Sequence, residues 1–214
     1  MLNREGKEVS RLEQRRVVAV LGDTSELGER LQLEALRQGI KRAPLVAWVS
    51  DGASGLWKIF GACFSQYAIG ILDFYHAAQH LWGAAAALLD GRTRQARVWF
   101  AQARRYMRRG HIRRIIAELE RAKTEKGLSA ESGKIIRLAA AYFQTHEAHL
   151  NYVLFKELGL PLGSGFVEST CKWLIQQRFN GVGMRWSEYG FNALLHLRVA
   201  YVNGRFDILF SSIE

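Results

Sequence analysis

Three carboxylates in this chain stand where cation and phosphate chemistry is usually done. Asp51 follows the apolar run LVAWV and Ser50, and Asp73 follows AIGIL. Both runs have the length and composition of strands, while GASGLWKIFGACF between them has helical spacing. The segment therefore reads as strand, helix, strand, with an acid at the carboxyl end of each strand. In open α/β sheets ligands bind at that edge, because the strands stop there and the loops open a crevice. Two acids on one edge point to hard oxygen ligands for a divalent cation. Turns also favour Asp for local hydrogen bonding, so one such acid carries little by itself. Glu168 lies beside the apolar positions Val167, Cys171, Leu174 and Ile175, on a helix for which Ser164 is the expected cap. Carboxylates converging from separate elements can hold two Mg²⁺ ions about 3.5–4 Å apart, which activate an attacking oxygen and stabilise a leaving one. Lys172 at i+4 offers Glu168 a local ion pair instead, worth only about 0.2–0.5 kcal/mol.

Other spacings carry less. Asp73, His76 and His80 fall at i, i+3 and i+7, a pattern that can bind a transition metal. No cysteine joins them, so the favoured reading is that Asp73 caps a helix and the histidines pack locally, tying the sheet to the helices that follow. HEAH at positions 146–149 is not HExxH. GSG at 163–165 can form an anion nest, a weak signal alone.

The elements that must position these residues follow from periodicity. RRVVAVLG, from Arg15 to Gly22, reads as a strand, and the polar residues before Gln14 show no commitment. Asp23 with Glu26 has capping-box spacing, and the helix that follows is expected to stop at Gly39. After Asp73 strand signals vanish. Helices are expected in FYHAAQHLWGAAAALLD, in RTRQARVWFAQARRYMRRG with Val98, Phe100, Ala103 and Met107 available for packing, and in HIRRIIAELERAKTEKG as far as Gly127. Another starts at Ser129 and uses Ile135, Ile136, Leu138, Tyr142 and Phe143. Gly159 and Pro161 end the helices that run to Leu158. A last amphipathic helix carries Leu194, Leu195, Leu197 and Val199 inward. Trp186 is expected in the core.

With 214 residues and 49% apolar content the chain can bury a substantial core. Cys63 and Cys171 are far apart in sequence, which argues against a zinc knuckle or a disulfide framework. The longest apolar stretch is too short to span a bilayer, and residues 1–16 lack the apolar region of a signal peptide, so a cytoplasmic location is expected. The net charge of +10 is concentrated: residues 91–150 carry 14 basic and 5 acidic side chains, with no acid from Arg92 to Ala117. A confined positive field suits a polyanion, most often nucleic acid. Arg94, Arg97, Arg104, Arg105 and Arg108 are the candidate phosphate contacts there, with Lys172, Arg178 and Arg185 near Glu168.

VSDGASGLW, LDFYHAAQHLW, LPLGSGFVESTCKWLI and QRFNGVGMRWSEYGFNALLHLRVAYVNGRFD, in that order, resemble bacterial insertion-sequence transposases of the ISKra group. The resemblance covers the chain from about Arg16 to Phe210. It implies a DDE transposase: an RNase H-like α/β domain with an all-helical basic insertion, two Asp and one Glu holding two Mg²⁺ (or Mn²⁺), and DNA cleavage followed by strand transfer. Asp51 matches the second catalytic Asp and Glu168 the catalytic Glu, both as metal ligands. Asp73 and His76 match an accessory DxxH motif at the start of the insertion. The implied organisation is a partial core over residues 1–90, the insertion over 91–160 and a return to the core over 161–214. The family's first Asp has no counterpart, since Asp23 fits a helix cap. The chain is therefore expected to be the C-terminal part of a transposase with an incomplete RNase H-like sheet, inactive alone, whose exposed edge invites association with itself or with full-length transposase. Transposon ends and target DNA are the implied partners. Two alternatives stay open: a non-catalytic DNA-binding or regulatory protein, and a different RNase H-like nuclease that draws a third acid from Asp73.

Overall fold

The computed structural model describes residues 14–211, so the polar segment before Gln14 lies outside the described residues. In chain order the elements are α1 (Thr24–Arg37), β1 (Ala47–Ser50), α2 (Ser54–Ile59), β2 (Ile69–Leu72), α3 (Phe74–Leu89), α4 (Arg94–Arg108), α5 (Ile112–Ala122), α6 (Ala130–Thr145), α7 (Tyr152–Glu157), α8 (Gly165–Cys171), α9 (Gln177–Phe179) and α10 (Glu188–Val202). The class is α/β, mostly helical with one two-stranded parallel sheet among the described residues. No helix of the described residues is long and apolar enough to cross a membrane.

Two compact units divide the chain. Leu45–Ser164 forms one, and residues 1–44 with 165–214 form the other. The sheet and the basic helices thus share a unit, and the expected boundary near residue 90 falls inside it.

In the Leu45–Ser164 unit, β1 and β2 pair in parallel from Ala47↔Ile69 to Ser50↔Leu72. A parallel pair needs a crossover. Here α2 supplies it, continued by one π-helical turn over Phe60–Phe64. Ile71 and Leu72 are fully buried, and α3 packs over them against α4 and α6. Alanines at 77, 84, 103, 139 and 140 keep the facing surfaces of these helices low, while Leu81, Met107, Ile115, Leu119 and Phe143 fill the space between. Side-chain caps start the helices: Asp73 for α3, Thr93 for α4, Ser129 for α6 and Asn151 for α7.

Gly70 shows how tightly the sheet is covered. A Cβ there would sit 2.8 Å from His149 Nδ1 and 2.9 Å from Phe60 Cζ. Gly70→Ala is expected to cost about 1–3 kcal/mol by overpacking. Gly61→Ala, where a Cβ meets nothing within 4 Å, serves as its control. Urea midpoints of the two variants check this; equal midpoints would show that the contact yields freely.

In the other unit, the Asp23 carboxylate accepts the amides of Ser25 and Glu26 to start α1. The helix ends at Arg37, and Gly39 follows at φ +79°, a left-handed turn that glycine takes without strain. The Glu34 carboxylate receives both Arg205 terminal nitrogens, at 2.7 and 2.9 Å, and this pair holds its pKa below the usual range. Arg198 donates to the carbonyls of Leu174 and Trp173 at 3.0 and 3.1 Å, holding the α8–α9 region against α10.

Several expectations require correction. Residues 15–22 form no strand. The Asn203 side chain takes the place of a neighbouring strand: its Oδ1 accepts the Val17 amide and its Nδ2 donates to the Val17 carbonyl, both at 2.8 Å. α5 stops at Ala122 rather than Gly127, because turns at Thr124 and Glu125 close onto Arg121 and Ala122. The stripe expected on α8 is not buried. Val167 and Cys171 are exposed, and the helix rewinds as a π turn over Lys172–Gln176, which shifts Leu174 inward out of step with them. Ser164 does not spend its hydroxyl on capping α8, because that group donates to Asp73. Val98, Leu138 and Leu194 face outward, whereas Ala103, Met107, Ile136, Phe143 and Leu195 are buried as expected. Trp186 is half-exposed and packs only one side, edge-on to Phe179, with its indole N–H on the Phe179 carbonyl.

Candidate functional site

The register of the sheet places two acids side by side. Ser50 pairs with Leu72, so Asp51 and Asp73 are the next residues on adjacent parallel strands, and the Asp73 amide donates to the Ser50 carbonyl at 2.8 Å. Their surroundings differ. Asp51 is half-buried. Its Oδ1 accepts the Ala53 amide at 2.9 Å, and Oδ2 makes no hydrogen bond among the described residues. The Trp57 indole N–H and the Ser50 hydroxyl both donate to the Asp51 carbonyl, fixing the backbone that carries this side chain.

Asp73 is buried, with both oxygens occupied. Oδ1 accepts the amides of Tyr75 and His76, at 2.7 and 3.0 Å, and Oδ2 accepts the amide and hydroxyl of Ser164, at 2.5 and 2.6 Å. Burial pushes its pKa up, but the hydrogen bonds from Ser164, His76 and Tyr75 outweigh this and leave it lowered. His76 Nδ1 lies 3.6 Å from Asp73 Oδ1, so this acid and imidazole present neighbouring oxygen and nitrogen donors. Asp73 therefore caps α3 and ties the strand end to the segment that closes the unit, as the capping pattern predicts.

Residues that sequence reasoning did not weigh as functional complete the edge. Gly52 has no side chain, and the Tyr142 ring from α6 fills that space; a Cβ there would run into Tyr142 Cε2. The ring also stacks on His80 at 3.9 Å between centroids. The Tyr142 hydroxyl is buried and has no hydrogen-bond partner among the described residues. Burial first, and then the charges of Asp51 and Asp73, push its pKa up, so it stays a neutral donor beside two carboxylates. His146 and His149, in the discounted HEAH stretch, flank Trp57 with centroids at 5.2 and 4.2 Å. His149 Nδ1 lies 3.1 Å from the Gly70 carbonyl. Burial lowers the pKa of His80, His146 and His149, so the edge is lined by neutral imidazoles near neutral pH. The one available signal was Gly52 directly after Asp51, a position where a ring can lie flat on the backbone.

The basic helix reaches the same region. At about 100° per residue, Arg94, Arg97, Arg104, Arg105 and Arg108 fall within roughly 100° of arc on α4, opposite buried Ala96, Ala103 and Met107. The guanidinium groups of Arg104 and Arg108 lie 5.6 and 5.5 Å from the ring centroid of Phe74, the residue after Asp73. Arg104, Arg105 and Arg108 line a shallow cavity of about 290 Å³ with Phe100 and Ala101. Arg104 Nε is itself buried, with no acceptor among the described residues.

Asp51, Asp73, His76 and the arginines of α4 thus belong to one unit, in which Arg104 and Arg108 come nearest to the acids through Phe74. Glu168 is an exposed residue of α8 in the other unit, as are Lys172, Arg178 and Arg185 of the segment that follows it. Compared with protein-family models, curated proteins and solved structures, the chain gives no match.

Proposed function

We propose that this chain is a DNA-binding protein of the DDE transposase lineage, in which α4 grips the phosphate backbone beside a carboxylate edge of RNase H-like descent. The observation that carries the DNA-binding part is the arginine face of α4, where exposed Arg105 and Arg108 line a cavity with Arg104 and no acid. Exposed guanidinium groups pair with phosphate oxygens in charge-assisted, often bidentate hydrogen bonds. Parallel strands joined by a helical crossover, each ending in an acid, support the lineage. Under this reading the polyanions are transposon ends and target DNA, and binding weakens steeply with salt.

The lineage assigns metal ligation to Asp51 and Glu168. Asp51 fits a hard cation, because Oδ2 is not spent on a local hydrogen bond. Mg²⁺ commonly takes one or two carboxylates, keeps several waters and completes its shell with substrate phosphates. When bound, such an ion activates an attacking oxygen and stabilises a leaving one. This chain's own groups have other tasks. The arginines of α4 hold phosphates, Trp57 and Ser50 fix the Asp51 backbone, and the neutral Tyr142 hydroxyl is a hydrogen-bond donor.

Binding without catalysis is a second reading, and the state of Asp73 favours it. An acid that already accepts four hydrogen bonds is poorly placed to serve as a further metal ligand. The two readings separate in a nicking assay with Mg²⁺ or Mn²⁺ on supercoiled DNA. Cation-dependent nicking abolished by Asp51→Ala supports cleavage, and salt-sensitive binding with no nicking supports the regulatory role.

A further inference from the structure

A second basic concavity lies at the turn between α4 and α5, and neither Asp51 nor Asp73 lines it. Its volume is about 730 Å³, within the range of small-molecule sites, and its lining includes Tyr106, Arg109, Arg113, Arg114, Glu147 and Asn151. The charges inside it are unequally engaged. Arg113 Nε donates to Glu147 at 2.9 Å, so the only acid lining the cavity is already paired. The Arg114 guanidinium lies 4.3 Å from the Tyr106 ring centroid, and its Nε donates to Glu118 at 3.5 Å, which leaves its terminal nitrogens for a further acceptor. Arg109 makes no side-chain hydrogen bond or ion pair among the described residues.

The backbone adds to this field. α5 is 11 residues long and begins at the cavity, and its N-cap, His111, makes no side-chain capping bond. The first amides of a helix are donors without an intrahelical acceptor and carry the positive end of the helix dipole. Gly110, at φ +76°, gives the sharp turn that brings Arg109 and the start of α5 to one wall.

We propose that this cavity binds a phosphate group of a nucleic-acid strand, with Arg109 and Arg114 as the guanidinium contacts and the N-terminus of α5 as the backbone contact. The inference rests on the reading of the chain as a DNA-binding protein and adds a second anchoring point to the α4 face. A free phosphate ion has the same chemistry, and the test distinguishes the two sources.

Affinity for a labelled duplex oligonucleotide is measured on the full chain at several salt concentrations, for the wild type, Arg109→Glu, Arg109→Gln and Arg121→Glu. Arg121 is exposed on α5 and does not line the cavity, so it controls for net charge. Arg109→Glu is expected to weaken binding at least tenfold. Arg109→Gln, a milder change at an exposed position, is expected to reduce the magnitude of the log–log salt slope by about 1, as the loss of one phosphate contact does. The amide resonances of Ile112 and Arg113, the first of α5, should shift on adding the oligonucleotide to the wild type, whereas the amides of Gly110 and His111 already donate to Met107 and Tyr106. An equal loss in Arg121→Glu, or no shift at Ile112 and Arg113, overturns the proposal. Shifts of the Ile112 and Arg113 amides with millimolar inorganic phosphate, with duplex affinity unchanged in both Arg109 variants, assign the cavity to a free anion and also overturn it. If substitutions on α4 abolish binding while Arg109 variants do not, the cavity fails and the DNA-binding reading stands. If the wild type does not bind DNA at all, that reading itself fails.

Discussion

Replacing Arg94, Arg97 and Arg105 together by Glu is expected to lower duplex DNA affinity about a hundredfold or more at ~100 mM salt, on the order of 1 kcal/mol per lost guanidinium–phosphate contact. These three are exposed and lie on one face of α4, so their loss removes charge without opening the core. Arg104 is left intact because its guanidinium packs on Phe74 and its removal would confuse folding with binding. The magnitude of the log–log salt slope should fall by about 2.7, three contacts at about 0.9 each. Fluorescence anisotropy over a salt series measures both quantities. A slope that stays the same while affinity falls would mean that these arginines act through structure and not through counterion release.

Asp73→Ala is expected to destabilise the Leu45–Ser164 unit by about 2–4 kcal/mol. The change removes an N-cap, typically worth about 1 kcal/mol, and leaves the Ser164 amide and hydroxyl without their acceptor. The pH dependence has a definite sign. The folded-state pKa is lowered, so the stability Asp73 contributes is present above its unfolded value, near 3.8, and is lost as pH falls through the lowered folded value. The wild type should therefore lose its advantage over Asp73→Asn under acid conditions and keep it at neutral pH. Urea unfolding of both proteins at pH 7 and near pH 3 measures the difference. A gap that widens on acidification would mean that Asp73 is protonated in the folded protein.

The parts of this structure that were legible in the sequence are those decided locally. The strands ending in Asp51 and Asp73, the Asp23 cap and the Ser129 cap depend on residue type and on neighbours within a few positions. The helical character of 94–108, with arginines on one face and Ala96, Ala103 and Met107 on the other, depends only on helical periodicity. What escaped depends on distant partners. Residues 15–22 have strand composition, but the backbone groups of Val17 are satisfied by Asn203, 186 positions away. Tyr142 counted only as a packing residue because its place beside Gly52 is set by how α6 meets the strand end. HEAH lacks the spacing of a metal motif, yet its histidines line the edge as neutral rings. The helix after Ser164 misled in a different way, because a π turn shifts the register that periodicity assumes to be constant.

The account turns on Asp51 holding a cation beside bound DNA, and iron substitution probes that directly without requiring catalysis. Fe²⁺ is added in place of Mg²⁺ to the complex with an end-labelled duplex, with ascorbate and peroxide to generate hydroxyl radicals at the ion. The prediction is cutting confined to a few nucleotides in the wild type and absent in Asp51→Ala, with DNA affinity retained in both. Cutting spread evenly along the duplex, or a local pattern unchanged in Asp51→Ala, would contradict it.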